Sequence, residues 1–275
     1  ILEIAQDRAL EKTFLNDNGI RTAPWVEISD EESLARADEM IGQGAVFKTA
    51  RFGYDGKGQA MVHNQRELSD AWDSVDRARA VVEGFIDFAC EVSVIVARNP
   101  HGHMECFDIV ENQHANHILD VTIAPARIGA DIARKAINTG TAIAEALDLV
   151  GLVAVEMFVT REGDILVNEI APRPHNSGHW TIDSCVTSQF EQMVRAVCGL
   201  PLGSSARHSN AIMRNLIGDD AHGWGEILES PETKLHLYGK SEARPGRKMG
   251  HMTRLYSKAV EWSPDEVETA LKIWD

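Results

Sequence analysis

An α+β fold follows from three features of this sequence. Leu152–Val159 and Ile165–Ile170 alternate as strands, and the turn-forming stretch Thr160–Asp164 joins them as a β-hairpin. Residues 129–148 carry a helical apolar period immediately ahead of that hairpin. Past Gly203-Ser204-Ser205 the character changes to short strands separated by many turns. Hairpins mixed with helices mark the class as α+β.

In chain order, Ile1-Leu2-Glu3-Ile4 opens without Met or a capping residue, in a helical pattern that runs to Asn18-Gly19. Gly19 suits a C′ position, and the uncapped start predicts that a preceding region lies outside this sequence. Ser29-Asp30-Glu31-Glu32 has capping-box spacing and starts a helix to about Ile41. Ala45–Thr49 is a short strand entering a glycine-rich loop, and Asn64-Gln65-Arg66-Glu67 opens another short helix. Ala80–Ile86 and Glu91–Ala97 read as strands. After the hairpin a helix runs from about Thr181 to Cys198 and stops at Gly199-Leu200-Pro201. Ser263-Pro264-Asp265-Glu266 is a last helix start. A boundary near 201–206 separates residues 1–202 from a β-rich domain over 203–275.

With 275 residues the chain can bury a sizeable core and form two units. A net charge of −15 argues against a general nucleic-acid or anionic-membrane surface. No apolar stretch reaches membrane-spanning length, and no signal-peptide pattern is present. Cys90, Cys106, Cys185 and Cys198 lack paired spacing and read as the reduced thiols of a cytosolic protein.

A hairpin symmetric about Glu162-Gly163 sets Glu156 directly opposite Glu169. Opposed side chains have Cβ atoms about 5 Å apart, and like charges there are destabilising. A divalent metal bound by hard oxygen ligands resolves the conflict and makes both glutamates candidate ligands. The plain alternative is an exposed hairpin with two solvated acids. The run Ile170-Ala171-Pro172-Arg173-Pro174-His175-Asn176-Ser177-Gly178-His179 favours the site, because it brings Arg, two His and Asn straight after the pair.

Arg51-Phe52-Gly53-Tyr54-Asp55-Gly56-Lys57-Gly58-Gln59 follows a strand, and its glycines let backbone N–H groups close over an anion. The spacing is neither a Walker A loop nor a dinucleotide fingerprint. Lys48 offers a point charge to the same phosphates; a flexible hairpin tip is the alternative. Glu83-Gly84-Phe85-Ile86 followed by Glu91 suits a nucleotide edge, with backbone groups for adenine and a carboxylate for ribose hydroxyls. A strand with one exposed acid is the plainer case. Lys240, Arg244, Arg247, Lys248 and His251 cluster on a loop interrupted by Pro245-Gly246 and suit a phosphate ester, or else a solvated turn. RNA is a poorer partner, because stacking aromatics are not interleaved with the charges. His114, His117 and Cys106 lack a second pair at zinc spacing and read as structural.

The ordered set of Lys48, the Gly53–Gly58 loop, Glu83–Ile86, Glu91 and Glu156/Glu169 resembles the ATP-grasp superfamily. Three longer stretches narrow the match. Arg51–Gln59, Asn168-Glu169-Ile170-Ala171-Pro172-Arg173-Pro174-His175-Asn176-Ser177-Gly178-His179-Trp180-Thr181, and Ala243-Arg244-Pro245-Gly246-Arg247-Lys248-Met249-Gly250-His251 are similar to the 5-(carboxyamino)imidazole ribonucleotide synthase family. The resemblance spans essentially the whole chain. It implies an ATP-grasp fold over residues 1–202, with residues 21–86 as a lid, and a small carboxy-terminal β-rich domain over 203–275. It further implies a cytoplasmic ligase of purine biosynthesis that uses ATP, Mg2+ and bicarbonate to carboxylate 5-aminoimidazole ribonucleotide through carboxyphosphate. Family members carry an amino-terminal Rossmann-like domain, and Gln6-Asp7-Arg8 resembles the junction just after it.

Residue roles come from the same resemblance. Glu156 and Glu169 hold Mg2+, with Asn168 beside them. Lys48 and the loop Gly53, Tyr54, Asp55, Gly56, Lys57, Gly58 and Gln59 cover the phosphates. Arg8 and His114 also reach the nucleotide, Glu83, Gly84, Phe85 and Ile86 meet the adenine, and Glu91 meets the ribose. Arg173 holds bicarbonate; Tyr54, Asp55, His175 and Asn176 orient the aminoimidazole; Lys240 and Arg247 take its 5′-phosphate. Tyr54, Arg173 and His175 are the catalytic candidates. One departure stands out: the wider superfamily often has an Asn two residues after the second metal glutamate, and Ala171 occupies that place here. A homodimer is the expected assembly, with no nucleic acid and no membrane. Two other readings stay open. A formate-using or biotin-directed ATP-grasp ligase shares the metal pair but needs no Arg247–His251 loop, and a non-catalytic nucleotide binder needs no Arg173.

Overall fold

The computed structural model describes residues 1–41, 44–53, 58–260, 262 and 267. Tyr54, Asp55, Gly56 and Lys57 of the glycine loop, and the helix start at Ser263–Glu266, lie outside the described residues. The chain begins with two helices, α1 (Leu2–Ala5) and α2 (Arg8–Asp17), where the apolar period predicted one. The break is a cap: Asp7 sits in extended backbone and its carboxylate accepts from the N–H groups of Ala9 and Leu10.

A small antiparallel sheet comes next. Its strands are β1 (Trp25–Ile28), β2 (Ala45–Thr49), β3 (Gln59–Val62) and β4 (Ala80–Gly84), in the order β1-β4-β2-β3. Helices α3 (Glu31–Ile41) and α4 (Gln65–Asp73) cover it, burying Leu34, Leu68 and Trp72 against Ile28, Phe47 and Val82. The predicted capping box is shifted one residue: Asp30 accepts from Ser33 N–H at 2.8 Å while Ser33 Oγ accepts from Asp30 N–H.

The large sheet has nine strands. Six precede residue 203: β5 (Phe88–Arg98), β6 (Met104–Cys106), β7 (Val110–Ala115), β8 (Ile118–Ala124), then, after helix α5 (Ala130–Ala146), the hairpin β9 (Gly151–Thr160) and β10 (Ile165–Ala171). Helices α6 (Thr181–Ser184) and α7 (Gln189–Val197) follow, then β11 (Asn210–Ile217), α8 (Trp224–Ile227), β12 (Thr233–Leu237) and β13 (Lys248–Tyr256). The order is β10-β9-β5-β7-β8-β11-β13-β12, with β6 paired to β5. The strands after residue 203 therefore extend this sheet through the β8–β11 pairing.

Alternation along β5 divides the core. Val92, Val94 and Val96 face α5 and its Ile143 and Ala144, while Ile95 and Ala97 face Trp180 and Met213. The helix predicted over 181–198 is interrupted at 185–188, because Ser188 is an N-cap whose side chain accepts from Glu191 N–H. Among the described residues, no helix is long and apolar enough to cross a membrane.

Candidate active site

The hairpin tip sets the geometry. Gly163 N–H donates to Thr160 O and Thr160 N–H to Asp164 O, enclosing a three-residue loop with Gly163 at φ +80. That loop pairs Val159 with Ile165 and Met157 with Val167, which taken alone would put Asn168 opposite Glu156. A bulge at Asn168 shifts the register, and Glu156 pairs with Glu169. The expected opposition is present, through an odd loop and one extra residue instead of a symmetric turn. The bulge also brings adjacent Asn168 and Glu169 to the same cavity.

Strand β10 is the sheet edge, and its outward N–H groups are capped by the amino-terminal segment. Val167 N–H donates to Arg21 O, and Ile170 N–H to the Glu11 carboxylate. Glu11 is thereby buried. Burial, then the charge of Glu169, pushes its carboxyl up to about 8.

The cavity between the two sheets measures about 1260 Å³. Arg8 and Lys48 enter it: Arg8 Nη2 is 4.0 Å from Glu169 Oε2, and Lys48 Nζ donates to Asn168 Oδ1 at 3.4 Å. Gly53, Gln59 and Phe85 line the lid side. Glu91 and His114 line the floor and bond to each other, with His114 Nδ1 2.8 Å from the carboxylate. Burial lowers the His114 pKa, but the Glu91 hydrogen bond and the nearby carboxylates outweigh it and the net shift is upward. Arg173, His175, Asn176 and Lys240 complete the predicted set on the wall.

Other predicted residues lie off that wall. Glu83 points away from it, into a buried ion triad with Lys12 at 3.1 Å and Lys48 at 3.1 Å. Gly84 N–H is taken by Pro24 O, and Phe85 N–H by Gly44 O. Gly58 O accepts from Thr49 N–H, closing the base of the glycine loop. Among the described residues, Gly58, Gly84, Ile86 and Arg247 are not part of the lining. The Arg247 guanidinium donates to Glu242 O at 2.9 Å.

The structure adds residues that were given no individual role from the sequence. Glu11, His179, Tyr238 and Lys248 all line the cavity. Lys248 belongs to the basic cluster visible in the sequence, and His179 to the long motif after Glu169, so both had a signal. Glu11 had none, since an acid beside Lys12 on a helix reads as a solvated pair.

Electrostatics favour a cation at the glutamate pair. Burial, then the opposed Glu169, pushes Glu156 up to about 8, so a positive ion beside it favours its ionised form at neutral pH. The Asn176 amide lines the same cavity with neither its oxygen nor its nitrogen satisfied, which suits a polar ligand. Burial, then Arg173 and Lys248, drives His175 down to about 3, leaving it neutral. A second cluster, Asp183, His236 and His251, offers metal-type donors within 4.8 Å of one another. Its two imidazoles stack at 4.6 Å and His236 Nε2 already engages Asp183 at 2.8 Å, so their in-plane lone pairs do not converge on an ion.

Known proteins share this architecture. The ATP-grasp domain family matches residues 13–190, and the phosphoribosylaminoimidazole carboxylase C-terminal domain family matches residues 211–263. An N5-carboxyaminoimidazole ribonucleotide synthase from Brucella melitensis is 47% identical over 261 residues, covering 94% of this chain and 72% of the relative. The chain belongs to the N5-carboxyaminoimidazole ribonucleotide synthase family. Two solved members of the family bear out the fold. The ADP complex of one synthetase superposes with a TM-score of 0.90 at 39% identity, covering 100% of this chain and 72% of that one. The Aspergillus clavatus synthase, in complex with ADP and 5-aminoimidazole ribonucleotide, gives 0.89 at 30% identity, covering 100% and 74%. The expected ATP-grasp fold with mixed helices and strands is present, with a smaller carboxy-terminal family region after it.

Proposed function

We propose that this chain performs the ATP- and bicarbonate-dependent carboxylation of 5-aminoimidazole ribonucleotide, releasing ADP and phosphate, in purine biosynthesis. The observation that carries the reading is one cavity wall holding the opposed Glu156 and Glu169, the Arg173-His175-Asn176 run, and the Lys240 and Lys248 cations. Membership of the synthase family, and a relative whose structure holds ADP and the ribonucleotide, support it.

Phosphoryl transfer needs positioning and charge neutralisation more than covalent help. Glu156, Glu169 and Asn168 are the residues that would hold Mg2+, which when bound neutralises charge on the transferring phosphoryl group. Lys48 supplies the point charge to the phosphates, and Glu83, buried between Lys48 and Lys12, holds that ammonium in place. Arg8 reaches the same region beside Glu169. A bicarbonate oxygen attacks the γ-phosphorus as ADP leaves. The exocyclic amine of the ribonucleotide then attacks the carboxyl carbon, releasing phosphate and a proton. Arg173 presents a fixed guanidinium to the trigonal anion. His175 and Asn176 orient the aminoimidazole, and Lys240 with Lys248 takes its 5′-phosphate. The lid, residues 21–86, excludes water from the acyl phosphate. The division into residues 1–202 and 203–275, a homodimeric assembly and a cytosolic location belong to the same proposal.

ADP formation tests the reading, measured with ATP, Mg2+ and bicarbonate, with and without 5-aminoimidazole ribonucleotide. Ribonucleotide-stimulated release supports it. Release that ignores the ribonucleotide, or none at all, points to another ligase or a silent nucleotide binder.

A further inference from the structure

Behind the cavity wall runs a buried chain of polar side chains that the proposed chemistry does not use. Ser177 N–H donates to His175 Nδ1 at 3.3 Å. A backbone N–H can only donate, so Nδ1 carries a lone pair and no proton. Ser177 Oγ, 2.9 Å from the same nitrogen, must then donate to it as well. Its single proton is thereby committed, and its oxygen accepts from Ser93 Oγ at 2.8 Å. Ser93 in turn accepts from Asn112 Nδ2 at 2.9 Å, and Asn112 Oδ1 accepts from Thr122 Oγ1 at 3.0 Å. One backbone donor thus sets the direction of every bond in the chain. Ser93, Asn112, Thr122, His175 and Ser177 are all buried, so water does not compete.

The other end meets the metal pair. His175 Nε2 lies 3.2 Å from Glu156 Oε1. Gln189 clamps the His175 backbone on both sides, accepting from its N–H at 2.8 Å and donating to its carbonyl at 2.7 Å. We infer that the Ser177 N–H, together with the one-way hydrogen-bond chain of Thr122, Asn112, Ser93 and Ser177 behind it, holds His175 as its Nε2–H tautomer and thereby orients Glu156. The opposite tautomer would set a nitrogen lone pair against a carboxylate oxygen. With Oε1 engaged by His175, the other Glu156 oxygen is presented to a cation. The four residues are positioning residues, and this consequence rests on reading Glu156 as a Mg2+ ligand.

Two measurements test the inference. In protein labelled with 15N-histidine, with His175→Gln to assign the signals, His175 should show a pyrrole-type Nε2 and a pyridine-type Nδ1. A protonated Nδ1 overturns the inference. Second, Mn2+ binding to the ADP-bound enzyme, followed by electron paramagnetic resonance, should weaken about ten-fold in Ser93→Ala and Thr122→Val, the scale of losing an outer-shell partner. Thr122→Ser, which keeps the hydroxyl, should restore it. Folded Ser93→Ala and Thr122→Val proteins with unchanged Mn2+ affinity would show a merely structural chain and also overturn the inference. Both readouts stand even if ADP formation fails to respond to the ribonucleotide, so the two proposals fail separately.

Discussion

Glu156 and Glu169 oppose each other because Asn168 bulges out of the strand that carries Glu169. The three-residue tip alone would align Glu156 with Asn168, and the extra residue moves the ladder on by one. The bulge puts an amide and a carboxylate, neighbours in sequence, on one cavity wall. It also spaces the outward N–H groups of Val167 and Ile170 to meet Arg21 and Glu11. One local irregularity thus serves both the site and the sheet edge.

Glu156→Gln should lower kcat for ADP formation by roughly 10²–10³-fold, the scale of losing one preorganised electrostatic partner at a reacting group. The metal-free variant should nonetheless melt higher than the parent at pH 8, because the like-charge conflict with Glu169 is gone. Steady-state kinetics and thermal melts check both halves.

Stability of the metal-free protein should fall as pH rises. Glu156 and Glu11 keep protons in the folded chain where the unfolded chain has lost them. Their contribution is fully present below the ordinary glutamate pKa near 4.5 and is lost as pH climbs through about 8. Melting temperatures across this range should decline, and added Mg2+ should raise them more at pH 8 than at pH 6.

Glu83→Ala should destabilise the fold by about 3–5 kcal/mol, since it strands the buried Lys12 ammonium and takes the carboxylate partner from Lys48. Denaturant titration measures the loss. The double variant Glu83→Ala/Lys12→Met should recover part of it, because only one unpaired charge then remains.

Gly178→Ala should cost about 1–3 kcal/mol by overpacking. A Cβ there would sit 2.2 Å from Ile95 Cδ1 and 2.6 Å from Gln189 Oε1. Gln189 holds the His175 backbone, so kcat should fall beyond the stability loss. Kinetics measured well below the melting temperature separate the two effects.

Lys248→Ala should raise KM for the ribonucleotide about ten-fold or more, the effect of removing one charged hydrogen-bond donor. Arg247→Ala should change it less, because that guanidinium donates to Glu242 O and lies off the cavity lining. Equal effects from both would place the phosphate differently.

Much of the site was legible because its signals are local. Strand alternation and a short turn bring Glu156 and Glu169 together over a few residues, and the Arg173–Asn176 run comes directly after them in the chain. Strand β7 escaped notice, because Glu111, Asn112, Gln113 and His114 interrupt its apolar pattern. Those polar residues serve partners on other elements: Glu91 for His114, Ser93 and Thr122 for Asn112. Both helix breaks were hidden for a similar reason, since the apolar period continues through Asp7 and past Ser188 while a side-chain cap ends the helix.

By itself the sequence determined the α+β class, the opposed glutamate pair, the arginine and histidine run beside it and the family resemblance. Each of these is a pattern of neighbouring residues governed by strand and turn periodicity. Only the tertiary structure decided that Glu83 is an internal counter-ion, that Glu11 seals a sheet edge, and that Lys248 lines the cavity while Arg247 does not. Those outcomes depend on burial and on partners distant in the chain. The cost of leaving a charge or a backbone donor unpaired is set by what packs around it, and no local pattern records that.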